Sequence, residues 1–200
     1  VLLTALFSGL RASELRGLRW DDVDLVKSEI HVHQRADRYN KIDAPKSEAG
    51  ERTVPLPPIV VSTLREWKLA CPKGPLGLTF PNGAGRVEDY SNILKRGLWP
   101  VQISAGVCII VKDAEGKVVV DDKGEPVRQA KYTGLHALRH FYASWCINRK
   151  ADGGLELPGK VVQERLGHSS ITMTMDTYGH LFPRGDDAAE LAAAARLILG

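Results

Sequence analysis

Cysteine is scarce in this chain. Three residues, Cys71, Cys108 and Cys146, lie far apart in 200 positions with no CxxC pair. An odd, scattered set excludes a disulfide framework and points to reduced thiols, hence a cytoplasmic setting. No apolar run approaches the ~20 residues needed to span a membrane. The opening "VLLTALFSGLR" lacks the basic start and small-residue cleavage site of a secretory signal. It begins on Val1, inside an apolar run that reads as a helix already under way, so the expectation is a fragment lacking an N-terminal part. There is no Walker-type phosphate loop, and "PNGAGR" reads as a turn. His31/His33 and His136/His140 have plausible metal spacing but no HExxH glutamate or cysteine pair beside them, so neither a metal nor a cofactor is expected. Strong charge of one sign is missing too: the net charge is +3. That is compatible with nucleic acid without requiring it. Arg128, Lys131, Arg139, Arg149 and Lys150 crowd one region, which by itself reads as a solvated face.

What is present is an ordinary globular composition, sufficient for one core and one domain over 1–200. Residues 1–8 read as a helix stopped at Gly9, and "RASELRGL" as a second. "SEIHVHQ" alternates as a strand; 35–44 is a polar turn region. "APKSEAGERTVPLP" reads as two extended pieces about a turn at Glu48–Glu51, which together predict a three-stranded antiparallel sheet. A proline-started helix follows from "PPIVVSTLREWKLAC". "VEDYSNILKRGLWPVQ" predicts a helix broken near Pro100. Two β-branched runs around "DAEG" predict a β-hairpin inserted at 107–121. "YTGLHALRHFYASWCINRK" is the strongest helix, with Thr133 as its cap; "GKVVQERLGH" is stopped by Gly167. "SITMTMDTYGHL" is a short helix, and an Ala-rich helix over 186–199 ends the chain. The expectation is a mainly α fold with a small antiparallel three-stranded sheet (α+β), without internal repeats.

Taken singly, the chemical candidates are weak. His136 and Arg139 are i and i+3 on one helix and share a face suited to an anion. The competing reading is a surface histidine and an arginine at the edge of the apolar stripe. Arg11 follows a glycine turn at a helix start, where a guanidinium and free N–H groups favour phosphate, yet arginine is common there. Lys46, on a loop, is nearly silent. His168 follows a glycine stop. Tyr178 sits in "DTYGH", and most tyrosines simply pack.

Order and local context change that. Arg11 in "GLRASEL", Lys46 in "PKSEAGERTVPL", His136 and Arg139 in "HALRH", His168 in "LGHSS" and Tyr178 in "DTYGH" form one series. This series closely resembles the catalytic domain of the tyrosine recombinases, the phage integrase family, and covers nearly the whole chain. The resemblance implies the DNA breaking-rejoining fold, with an N-terminal core-DNA-binding domain missing from this segment. It implies a site-specific recombinase acting on double-stranded DNA in bacteria or phage, close to the nucleoid. It also implies a homo-oligomer, a tetramer on DNA, assembled through helix 186–199; packing of that helix on its own domain is the alternative.

A phenol with a pKa of about 10 is only ~0.1% ionised at pH 7. The phosphodiester it must attack is itself an anion. Arg11 and Arg139 would clamp its non-bridging oxygens. By the resemblance, Lys46 protonates the departing 5′ oxygen, His136 helps to accept the tyrosine proton and His168 holds a phosphate oxygen, leaving a 3′-phosphotyrosyl link and a free 5′ hydroxyl. On ordinary pKa values the acid and base roles of Lys46 and His136 stay open. Glu14, His140 and His180 are expected to support these groups. A type IB topoisomerase-like enzyme, a silent DNA-binding module and an unrelated helical protein are the competing readings. Loss of an arginine or of the tyrosine would mark the silent module, and none is missing.

Overall fold

The structure is a computed structural model that describes residues 1–183 and 187–199. Helices α1 (Leu2–Ser8) and α2 (Ala12–Gly17) open the chain. They are separated by Gly9, whose φ of 62° ends α1 in the left-handed region. A Cβ there would meet the ring of Tyr142, so the position needs glycine for conformation and for space. Strands β1 (Val23–Asp24) and β2 (Glu29–Val32) follow, then the two-residue strands β3 (Arg35–Ala36) and β4 (Ile42–Asp43), and β5 (Arg52–Pro55). The three-stranded antiparallel sheet is present, in the order β1-β2-β5, with Ile30 opposite both Val23 and Val54.

Two details differ from expectation. The third strand is β1 rather than a piece ahead of the Glu48 turn, because Pro45 and Lys46 lie in a loop without ladder bonds. The region 35–44 is a hairpin of its own. Asp37 Oδ1 accepts from the N–H groups of Tyr39 and Lys41, at 2.8 and 2.9 Å, and closes a tight turn that polarity alone did not reveal.

Helix α3 (Pro58–Ala70) starts on its proline as predicted. The next helical stretch contains α4 (Tyr90–Ile93), a π-helical turn over Leu94–Leu98 and α5 (Trp99–Ser104). The irregularity therefore precedes Pro100, where a wider register accommodates the missing N–H and the ring. Helix α6 (His136–Ile147) begins three residues later than Thr133, which does not cap it. The N–H of Leu135 donates instead to the Tyr90 hydroxyl, at 3.2 Å. Helix α7 (Gly159–Leu166) ends at Gly167 with φ 64°, α8 (Ile171–Tyr178) follows, and α9 (Asp187–Leu199) completes the chain; Asp186 lies outside the described residues.

One core joins α1, α2, α3, α6, α7 and the sheet through Ala5, Leu15, Ile30, Val54, Val60, Leu64, Tyr142, Ile147, Val162 and Leu166. Phe7 of α1 packs edge-on to Phe141 and Trp145 of α6. Among the described residues, no helix is long and apolar enough to cross a membrane.

The insertion is larger than a hairpin at 107–121. Strand β6 (Cys108–Ile110) pairs not with the next β-branched run but with β7 (Arg128–Ala130). Between them the chain makes two further hairpins, bridged at Lys112–Val118 and Val120–Pro126. Three backbone bonds close a ring: Val111 donates to Val127, Val119 to Val111 and Val127 to Val119, at 2.9, 3.0 and 2.9 Å. An eight-residue repeat underlies it, Val111-x-Asp113-x-x-Gly116-x-Val118 and then Val119-x-Asp121-x-x-Gly124-x-Pro126, which corrects the expectation of no internal repeat. Each aspartate caps its own turn through Oδ1, and Gly116 and Gly124 carry φ of 81° and 80°. The buried Gln102 clamps the stem by bonding both the N–H and the carbonyl of Tyr132, each at 2.8 Å.

Candidate active site

The site is organised by the end of α7. A helix leaves its last carbonyls without intrahelical partners. Here the last two of α7, with that of Gly167 just beyond, receive three arginines from distant parts of the chain. Arg52 Nε donates to the Arg165 carbonyl at 2.8 Å, Arg139 Nη2 to that of Leu166 at 2.5 Å, and Arg11 Nη2 to that of Gly167 at 3.0 Å. The negative end of the helix dipole favours cations there. Arg139 also donates through Nη1 to the Gly9 carbonyl at 2.5 Å, which ties α6 to the turn after α1.

Glu14 is the counter-charge. It is buried between Arg11, at 2.8 Å, and Arg52, at 2.9 Å. Burial alone would raise its pKa, but hydrogen bonding and the positive charge of Arg52, reinforced by Arg11, bring it down to about 2. The Arg11 N–H also donates to Glu14 Oε2, so one carboxylate fixes both the backbone and the guanidinium of Arg11. Glu14 thus contacts Arg11 at both its backbone and its side chain. Arg52 was missed by the sequence reading. Its signal is a charged residue in register with Val54 on the inward face of a strand, a position normally apolar.

A cleft of about 510 Å³ opens in front of these groups. Arg11, Lys46, His136 and Arg139, four of the six expected residues, line it, joined by Arg16, Arg35 and Arg38. Arg16 is buried and holds the β3–β4 hairpin against the cleft, donating to the carbonyls of Asp37 (3.1 Å) and Glu88 (2.8 Å) and to the Asn40 side chain. Burial, then the charge of Arg11, lowers the Arg139 pKa to about 10, so it stays cationic at neutral pH.

His168 and Tyr178 do not line this cleft. His168 is half-buried, bonded through Nδ1 to Thr174 Oγ1 at 2.9 Å, and its ring lies parallel to that of Tyr178 with centroids 6.4 Å apart. Burial, then the charges of Arg139 and Arg11, lowers its pKa to about 4, so it is neutral at pH 7. Tyr178 is 4% exposed, at the end of α8. Burial raises its pKa and the Arg139 charge opposes the rise. Its hydroxyl is 2.8 Å from His140 Nδ1, and the His140 ring stands edge-on to that of His136 at 4.5 Å between centroids. A line of rings thus runs from the cleft wall to the phenol. His180 is exposed in the turn after Tyr178 and is not part of this line. His33 lies 3.2 Å from Asp22 and stacks on His31. Among the described residues, no group of three or more His, Cys, Asp or Glu gathers to hold a metal ion.

No family model matches the chain. Among curated proteins it is 30% identical to a tyrosine recombinase XerC-like protein of Caldanaerobacter subterraneus subsp. tengcongensis, over 92% of this chain and 46% of that protein. It is 32% identical to tyrosine recombinase XerC of Xylella fastidiosa strain M23, over 87% of this chain and 45% of the relative. With the ICEBs1 integrase of Bacillus subtilis strain 168 it shares 26% identity, over 90% of this chain and 44% of that protein. The chain thus spans less than half the length of these relatives. In fold it is similar to the Tn1549 transposon integrase solved with transposon right end DNA, with TM-score 0.64 and 23% identity over 98% of this chain and 57% of that one. The XerA recombinase crystal structure is similar too, with TM-score 0.57 and 20% identity over 96% of this chain and 55% of that one. The ordered series from Arg11 to Tyr178, the helical fold around a small sheet and these likenesses converge: the chain belongs to the tyrosine recombinase family.

Proposed function

We propose that this chain is the catalytic domain of a site-specific DNA recombinase or integrase that cleaves and rejoins strands through Tyr178. The observation that carries the reading is the convergence of Arg11, Lys46, His136 and Arg139 on one cleft, with the Tyr178 hydroxyl behind its wall in contact with His140. A phosphodiester entering the cleft offers its non-bridging oxygens to Arg11 and Arg139, whose forks are held in place by Glu14 and by the α7 carbonyls. Charge builds on those oxygens as the Tyr178 oxygen bonds to phosphorus, and prepositioned guanidinium groups act most strongly there. The P–O5′ bond breaks, Lys46 on its exposed loop delivers a proton to O5′, and His168 holds a phosphate oxygen. The 3′-phosphotyrosyl bond retains the energy needed for a 5′ hydroxyl to reverse the step.

Because Tyr178 is only 4% exposed, engagement of DNA has to uncover the phenol. Helix α9 exposes Leu191, Leu197, Ile198 and Leu199, which suits docking on a neighbouring copy in a DNA-bound oligomer. The test is a nicked suicide substrate, in which the short severed fragment that carries the new 5′ hydroxyl escapes. The wild-type chain is expected to form an SDS-resistant adduct, and Tyr178→Phe to form none. Absence of adduct from both refutes the assignment.

A further inference from the structure

The group that receives the phenol proton is singled out by geometry. Attack on phosphorus requires Tyr178 to lose that proton, and an acceptor must lie within hydrogen-bond reach of it. His136, the acceptor expected from the resemblance, lines the cleft, but the polar contact made by the Tyr178 hydroxyl is to His140 Nδ1, at 2.8 Å. His140 is one helical turn beyond His136 on α6, and its ring lies between those of His136 and Tyr178, with centroids 4.5 and 5.6 Å away. Burial, then the neighbouring His140, lowers the His136 pKa, which disfavours a second charge on the pair.

Resting on the strand-cleavage reading above, we propose that His140 is a catalytic residue, the immediate base for Tyr178. Its Nδ1 is unprotonated in the resting enzyme and Nε2 carries the hydrogen. As the phenol oxygen forms its bond to phosphorus, its proton moves to Nδ1, giving an imidazolium. The electron pair of the breaking P–O5′ bond leaves with O5′, which takes a proton from Lys46. In the rejoining step the same imidazolium returns its proton to the departing phenolate. His136 acts through His140, by orienting the ring edge-on and by raising the cost of a second positive charge.

The experiment compares His140→Asn with the wild type on a nicked suicide substrate. Asparagine Oδ1 can accept the phenol hydrogen bond but does not take the proton at neutral pH. Cleavage is expected to fall about 10²- to 10⁴-fold with DNA affinity unchanged. 3-Fluorotyrosine at position 178, a more acidic phenol, is expected to restore part of the loss. A 5′-bridging phosphorothiolate, which needs no leaving-group proton, is expected to restore none. A wild-type rate for His140→Asn, or full rescue by the phosphorothiolate, overturns the proposal. Should the variant not fold, ¹⁵N-histidine NMR of the wild type decides: a neutral ring protonated at Nε2 supports it, and a hydrogen on Nδ1 at neutral pH overturns it. Failure of the cleavage reading is distinguishable, since the wild type would then form no adduct at all.

Discussion

The cleft and the inserted arm are built on opposite rules. The cleft holds residues from positions 11 to 139 at the end of a helix that finishes at 166, and almost every bond that positions them is long-range. The arm between Val107 and Lys131 is built from within itself: aspartate-capped turns, left-handed glycines, a ring of three valine backbone bonds and the pairing of its own two ends. None of residues 108–128 joins the main hydrophobic core. The cleft therefore depends on the whole fold, whereas the arm folds by its own local code and is tied to the domain by Gln102 at its stem.

That contrast is breakable. The largest effect is expected at the buried ion pair. Glu14→Gln leaves Arg52 charged, buried and uncompensated, and should cost about 3–5 kcal/mol in urea unfolding, with DNA cleavage lost as Arg11 is released. A change near zero would mean that the α7 carbonyls alone suffice. A smaller effect is expected from Gly17→Ala. The added Cβ would stand 2.7 Å from the backbone of Arg35 and Ala36, so the β3–β4 hairpin must move. The expected loss is about 1–3 kcal/mol, together with weaker DNA binding, because Arg35 and Arg38 leave the cleft wall.

Acid should act on the groups behind the cleft in two windows of the same sign. The folded pKa of His168, about 4, lies below its ordinary value of 6.5, so the unfolded chain binds more protons and stability falls as pH drops between them. For Glu14, folded pKa about 2 against 4.5, stability present above 4.5 is lost as pH falls toward 2. Denaturation midpoints measured from pH 7 to 3 should decline throughout, and Glu14→Gln should remove the lower part of the decline. A flat profile would break the argument. The smallest global effect belongs to the arm. Gly116→Ala places a side chain at φ 81° in open space, a strain of about 1–2 kcal/mol. Amide exchange at Val111, Val119 and Val127 should quicken while the midpoint of the whole domain stays put. A shift of the global midpoint would show that the arm is coupled to the core.

Much of this was legible beforehand. Pro58, Gly9 and Gly167 marked helix ends because proline and glycine constrain the backbone locally. The site series was readable because each member keeps a recognisable neighbourhood. Thr133 misled, since an N-cap signal holds only if the helix starts beside it, and Tyr90 from another helix supplied the contact. The repeat in the arm was present in the letters, but its valines and aspartates resemble an ordinary hairpin until the strands close on one another. The contacts of Arg52 and His140 were not legible for one reason: their partners are 38 positions away, at Glu14 and Tyr178 respectively.

By itself the chain of letters determined which residues can neutralise, protonate and attack a phosphate, and where helices begin and end, because those properties belong to side chains and to local backbone freedom. Only the tertiary structure decided which of them meet. It brought three guanidinium groups to the carbonyls at the end of α7 and set one histidine rather than another against the phenol. Hydrogen bonds act over about 3 Å, and that separation is decided by packing rather than by position along the chain.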